Sequence, residues 1–63
     1  MRYNLEYLRE STDEDSVMTT VGHGGPLEAV VALALSAERQ GDGCQIRDLD
    51  DGRRIVWLQH FNV

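Results

Sequence analysis

A histidine stands among three glycines and a proline in Val21-Gly22-His23-Gly24-Gly25-Pro26, shortly before the apolar run of Ala29 to Leu35. A glycine-rich loop that opens a helix can hold an anion, because free backbone N–H groups point outward there. The spacing here fits neither phosphate-binding pattern. No Lys with a following Ser or Thr comes after the glycines, and Leu27 stands where a dinucleotide fingerprint needs its third glycine. His23-Gly24-Gly25 has the composition of an oxyanion loop, but no G-x-S-x-G supplies a nucleophile. Glu28 would repel an anion at this entrance. It is better placed to take up the Gly25 N–H, with Gly25 as N-cap and Pro26 as the first helical residue. The stretch therefore reads as a helix start, and within it only His23 has no assigned task.

The remaining chemistry-bearing residues are scattered. His23, His60, Cys44 and the carboxylates could ligate a metal, but none lies at i, i+4 on a helix or in a C-x-x-C pair. Asp48-x-Asp50-Asp51-Gly52 begins like a calcium loop, yet no Glu closes it at the twelfth position. Cys44 falls on a strand position that faces the core, where a cysteine is a small inert hydrophobe. No catalytic residue, cofactor site or metal site is expected. A small-ligand or metal protein using His23, His60 and Cys44 stands as the weakest of three functional alternatives.

The elements that must position these residues follow from periodicity. Tyr3, Leu5 and Tyr7 alternate with Asn4 and Glu6, a half-buried strand. Glu10 to Ser16 is polar and acidic, a loop. Val17 to Val21 is a short second strand. Pro26 to Gln40 is the one helix, with an apolar arc of Leu27, Val30, Val31, Leu33, Ala34, Leu35 and Ala37. That arc is wider than one sheet face needs, so Leu33 and Leu35 are candidates for a subunit contact. Gly41 suits the left-handed position after a helix. Cys44 to Leu49 and Arg54 to Gln59 flank Asp51-Gly52, a hairpin signal. A two-residue turn there pairs Ile46 with Trp57 and Asp48 with Ile55, and aims Cys44, Ile46, Ile55 and Trp57 at the helix. Val56 and Leu58 then point away with Leu49. The expected fold is α+β: a small antiparallel β-β-α-β-β sheet with one helix on one face, a single domain over residues 1–63.

Size and charge narrow the function. A domain of 63 residues buries only about 60% of the surface its unfolded chain exposes, so a deep catalytic cleft is hard to build. The chain has six Arg, no Lys and eleven Asp and Glu, for a net charge of −5. That sign opposes direct binding to nucleic acid and suits a protein partner with a basic surface. The lone cysteine fits an intracellular compartment. Met1 to Glu6 lacks the apolar core of a signal peptide, and no run is long enough for a membrane span. The expectation is therefore a cytoplasmic protein with no membrane partner. The acidic residues gather at two loops: Glu10, Asp13, Glu14 and Asp15 at one, and Asp42, Asp48, Asp50 and Asp51 at the other. Arg47, Arg53 and Arg54 partly neutralise the second.

This layout of Tyr3–Leu8, Val17–Val21, Pro26–Gln40 and the Asp51-Gly52 hairpin resembles the small phage-borne inhibitors of bacterial defence, the anti-CRISPR proteins. The resemblance is one of architecture and spans the chain. It shares no motif, so no site residue is carried over from it. It implies a non-enzymatic inhibitor in a bacterial host cell that occupies a binding surface of a nuclease or surveillance complex. The contact would run through Glu10, Asp13, Glu14, Asp15, Asp48, Asp50 and Asp51. The alternative is a self-associating accessory protein, such as a homodimer, held through Leu33, Leu35, Val56 and Leu58.

Overall fold

The structure is a computed structural model and describes residues 1–9 and 17–61. Its elements are β1 (Arg2–Leu8), β2 (Val17–Gly24), α1 (Leu27–Ala34), β3 (Gly43–Asp48) and β4 (Arg54–His60). They form one four-stranded sheet in the order β2-β1-β3-β4. Every pairing is antiparallel, so β2 and β3 run parallel with β1 between them, and α1 lies on the crossover that such strands require. This is the expected β-β-α-β-β α+β fold.

The alternation of β1 decides where the core lies. Residues paired across strands share a face. Tyr3, Leu5 and Tyr7 therefore line up with Asp48, Ile46 and Cys44 on β3 and with His23, Val21 and Thr19 on β2. On this face Tyr3, Leu5, Tyr7, Cys44 and Ile46 are buried with Val30 and Ala34 of the helix. Leu27, Val30, Val31 and Ala34 form the i, i+3, i+4, i+7 stripe of α1 that meets them. Burying a Leu, Ile or Val of this kind is worth about 1.5–3 kcal/mol each. Leu33 and Leu35 lie off the stripe and remain 43% and 44% exposed. The opposite face carries a polar cluster. Gln45 is fully buried and Glu6 is 7% exposed. Glu6 Oε1 accepts hydrogen bonds from Gln45 Nε2 at 2.6 Å and Arg47 Nε at 3.0 Å. A carboxylate so sheltered persists because it is paired.

Three local expectations are corrected. The helix ends at Ala34 rather than Gln40. Beyond it the backbone turns, with the Ser36 N–H donating to Leu33 O and the Arg39 N–H to Ser36 O. The chain must descend to β3, where the Asp42 N–H donates to Leu8 O at 3.0 Å. That tertiary anchor overrides the helix propensity of the intervening residues. The helix entrance also differs. Pro26 itself is the N-cap, at φ −73° and ψ 151°. The Gly25 N–H donates to Met1 O at 3.3 Å, so Glu28 does not close a capping box. β2 continues to Gly24 opposite Arg2, which brings the Met1 carbonyl within reach of Gly25.

The third correction concerns the last hairpin. Gly52 and Arg53 both have positive φ, 63° and 60°, and the Arg54 N–H donates to Asp51 O at 3.2 Å. The hairpin loop is thus five residues, Leu49 to Arg53, rather than the two-residue Asp51-Gly52 turn, and its closing turn, Asp51–Arg54, has the left-handed pair Gly52-Arg53 at its centre. The Arg47 guanidinium donates to Arg53 O at 3.0 Å and holds that strained residue. A bulge in β4 shifts the register next to this loop. Ile46 still pairs with Trp57, but Arg47 pairs with Ile55 and Asp48 with Arg54. Val56 is the extra residue. Ile55 accordingly leaves the helix face, and Val56 packs against the core instead of pointing away from it.

Candidate functional site

The Asp48-to-Asp51 segment is an ordered acidic turn. Asp48 Oδ1 accepts the Asp50 N–H at 2.9 Å. Asp50 Oδ2 accepts the Arg2 N–H at 3.0 Å, and the Leu49 N–H donates to Arg2 O at 3.0 Å. These bonds staple the turn to the first residue of β1. Asp51 pairs with Arg54 at 3.3 Å on an exposed surface, a contact worth little. Asp50 and Asp51 are exposed and Asp48 is half-buried. Asp42 lies far from them: its carbonyl accepts the Phe61 N–H at 2.9 Å beside Leu8, at the other end of β1. The expectations for Glu10, Asp13, Glu14 and Asp15 fall outside the described residues. The chain leaves β1 at Leu8 and enters β2 at Val17, at the sheet end away from the Asp50 turn.

His23 gains a setting that the sequence did not supply. It stands on β2 beside Tyr3, between two hollows. One, of about 310 Å³, is lined by Arg2, Tyr3, Gly22, His23, Gly24 and Leu49. The other, of about 220 Å³, is a groove between β2 and α1 floored by Leu5 and Tyr7, with Val21, His23 and Leu33 on its walls and Glu38 and Gln40 at its end. The groove exists because α1 packs over β1 and β3 and stops short of β2. His23 Nε2 is buried without a hydrogen-bond partner.

The other reactive side chains are dispersed. Cys44 lies two strands and four residues from His23, roughly 16 Å by strand spacing and rise. His60 is on the opposite edge strand and farther still. Among the described residues no three His, Cys, Asp or Glu side chains come together to hold a metal ion. Cys44 is wholly buried, and burial pushes its thiol up to about 11. Burial also raises the Tyr7 phenol, with the neighbouring Cys44 adding to the effect. The Tyr7 hydroxyl donates to Ala34 O at 3.4 Å. Cys44 and Tyr7 are thus core groups. No described helix is long and apolar enough to cross a membrane.

The four residues expected to mediate self-association are divided. Leu33 and Leu35 are exposed on and just beyond α1. Leu58 is exposed on the sheet face away from the helix, opposite Gln45. Val56 is partly buried against the core. The structure adds residues that the pattern did not single out: Val17, Met18 and Val21 are all exposed on β2. Alternation showed which residues share a face. It could not show that β2 is an edge strand the helix fails to cover. No known protein family, curated protein or solved structure matches this chain.

Proposed function

We propose that the chain is a small non-enzymatic protein-binding module that docks on a basic protein surface. Its most concrete form is an inhibitor of a nucleic-acid-handling complex in a bacterial cytoplasm, in the manner of the anti-CRISPR proteins its layout resembles. The observation that carries the reading is the stapled Asp48–Asp51 turn. Of its three carboxylates within four residues, Asp48 and Asp50 are held by backbone hydrogen bonds before any partner arrives, and Asp51 pairs with Arg54. Docking such a group costs little further ordering. The net charge of −5 speeds encounter with a basic surface and opposes direct contact with nucleic acid. Carboxylates at this spacing can take the place of phosphates on arginine and lysine side chains.

The test is capture from a bacterial lysate on the immobilised chain, with the bound proteins identified by mass spectrometry. The expected catch is a nuclease or other nucleic-acid-handling protein that a competing oligonucleotide releases. A double variant, Asp50→Asn with Asp51→Asn, keeps the turn's hydrogen-bonding capacity and removes charge, so it should capture less. A second variant that neutralises Glu10, Asp13, Glu14 and Asp15 measures the share of the other acidic loop. A catch without any nucleic-acid-handling protein overturns the reading. Undiminished capture by both variants overturns the acidic contact.

A further inference from the structure

We infer that the outer edge of β2 pairs with the β2 of a second copy of this chain, making a two-fold dimer with one continuous eight-stranded sheet. This surface is separate from the acidic turn and does not depend on the function proposed for it.

β2 pairs with β1 on one side only, and no described strand lies on the other. Its outer backbone N–H and C=O groups are a template for another strand. Proteins blunt such edges with charge, with proline or with bulges. The β2 sequence Val-Met-Thr-Thr-Val-Gly-His-Gly has no Asp, Glu, Lys or Arg and no proline. Its one irregularity is the bulge near Met18, close to the strand's start. Val21, 40% exposed, and Leu33, 43% exposed, flank the groove that runs beside this edge.

Charge selects the occupant. Two copies carry −5 each, so a contact between them is least opposed where charge is absent. The β2 edge is such a strip, and a contact of a surface with itself must be self-complementary. A basic partner would gain nothing from it electrostatically. Strand geometry then fixes the symmetry. Directly opposed residues share a face. An antiparallel pairing centred on a residue therefore places both helices on the same side of the joint sheet, whereas one centred between residues i and i+1 places them on opposite sides. Centring on Val21 sets it against Val21 of the second copy, with Thr19 opposite His23 and Thr20 opposite Gly22. Both Leu33 side chains then stand above one apolar seam.

Sedimentation equilibrium tests the assignment. The wild-type chain should show twice its 7.1 kDa mass. Val21→Glu and Val21→Lys should each sediment as monomers, and an equimolar mixture of the two should recover the dimer through the opposed charges. Leu58→Glu, on the far edge and opposite face, should remain dimeric. If the Val21 variants lose their fold by circular dichroism, hydrogen exchange of the wild type decides: protection of the β2 amides must rise with protein concentration. A wild-type monomer at millimolar concentration overturns the inference. So do dimeric single Val21 variants, a mixture that fails to associate, a monomeric Leu58→Glu, or concentration-independent exchange.

Discussion

Replacing Gly41 with alanine should cost this protein much of its stability, and the cost can be built from two parts. Gly41 has φ +72°, a left-handed conformation that costs an L-residue roughly 1–2 kcal/mol. An alanine Cβ there would overlap the Leu8 carbonyl oxygen and lie 3.0 Å from its carbon and 3.2 Å from Met18 Sδ. The obstacle is backbone in a central strand, so it cannot swing aside. Relief requires the crossover to lift, which breaks the 3.0 Å bond from the Asp42 N–H to Leu8 O, a further loss of about 0.5–1.5 kcal/mol. The total is about 1.5–3.5 kcal/mol, against roughly 3–9 kcal/mol for a whole domain of this size. Gly52→Ala is the internal control. Its φ is +63°, and an alanine Cβ there would meet nothing within 4 Å, so only the conformational part applies, about 1 kcal/mol. Urea denaturation of both variants separates them. In heat, each kcal/mol should lower Tm by about 4–8 °C in a chain this short. If Gly41→Ala is no less stable than Gly52→Ala, the close approach to Leu8 is not a constraint and the reasoning fails.

Two more perturbations probe the buried polar groups. Glu6→Ala leaves Gln45 Nε2 and Arg47 Nε without their shared acceptor and should cost about 2 kcal/mol in urea denaturation, while Glu6→Gln, which keeps an acceptor oxygen, should cost about half that; equal stability of Glu6→Ala and wild type would refute the pairing. Cys44 has its thiol raised from 9.0 to about 11 by burial. The folded state holds that proton more tightly than the unfolded one, so stability is intact below pH 9 and falls as pH rises toward 11, by about 2–3 kcal/mol in all. The raised Tyr7 phenol acts in the same direction above its ordinary value of 10.0. Cys44→Ala should flatten the thiol's part of this profile, and a thiol reagent at pH 8 should label wild-type Cys44 only as fast as the core opens. Rapid labelling without unfolding would show that the thiol is not in the core.

The residues of β1 illustrate how much was legible. Tyr3, Leu5 and Tyr7 at a period of two can hide only by facing one layer, and the core forms on that face. The Leu27-Val30-Val31-Ala34 stripe likewise announces a helix and its buried side. The helix end was not legible, because the signal that stops it is the Leu8 carbonyl, distant in sequence. The hairpin register slipped for a similar reason. Asp51-Gly52 marks a turn, but Arg47 reaching Arg53 O helps to place it at Gly52-Arg53, and the Val56 bulge then exchanges the faces of Ile55 and Val56.

The candidate surfaces divide the same way. Composition and spacing set the acidic balance, the lack of metal-ligand motifs and the presence of Asp48, Asp50 and Asp51 in one turn. Nothing local could show that Asp50 would grip the Arg2 N–H, or that β2 would be left as an edge that no described strand covers, beside its own groove. The sequence by itself determined the elements and their inward faces, because periodicity and turn chemistry act within a few residues. Only the tertiary structure decided strand order, helix length and which apolar residues stay exposed, because those depend on backbone groups that meet across the sheet.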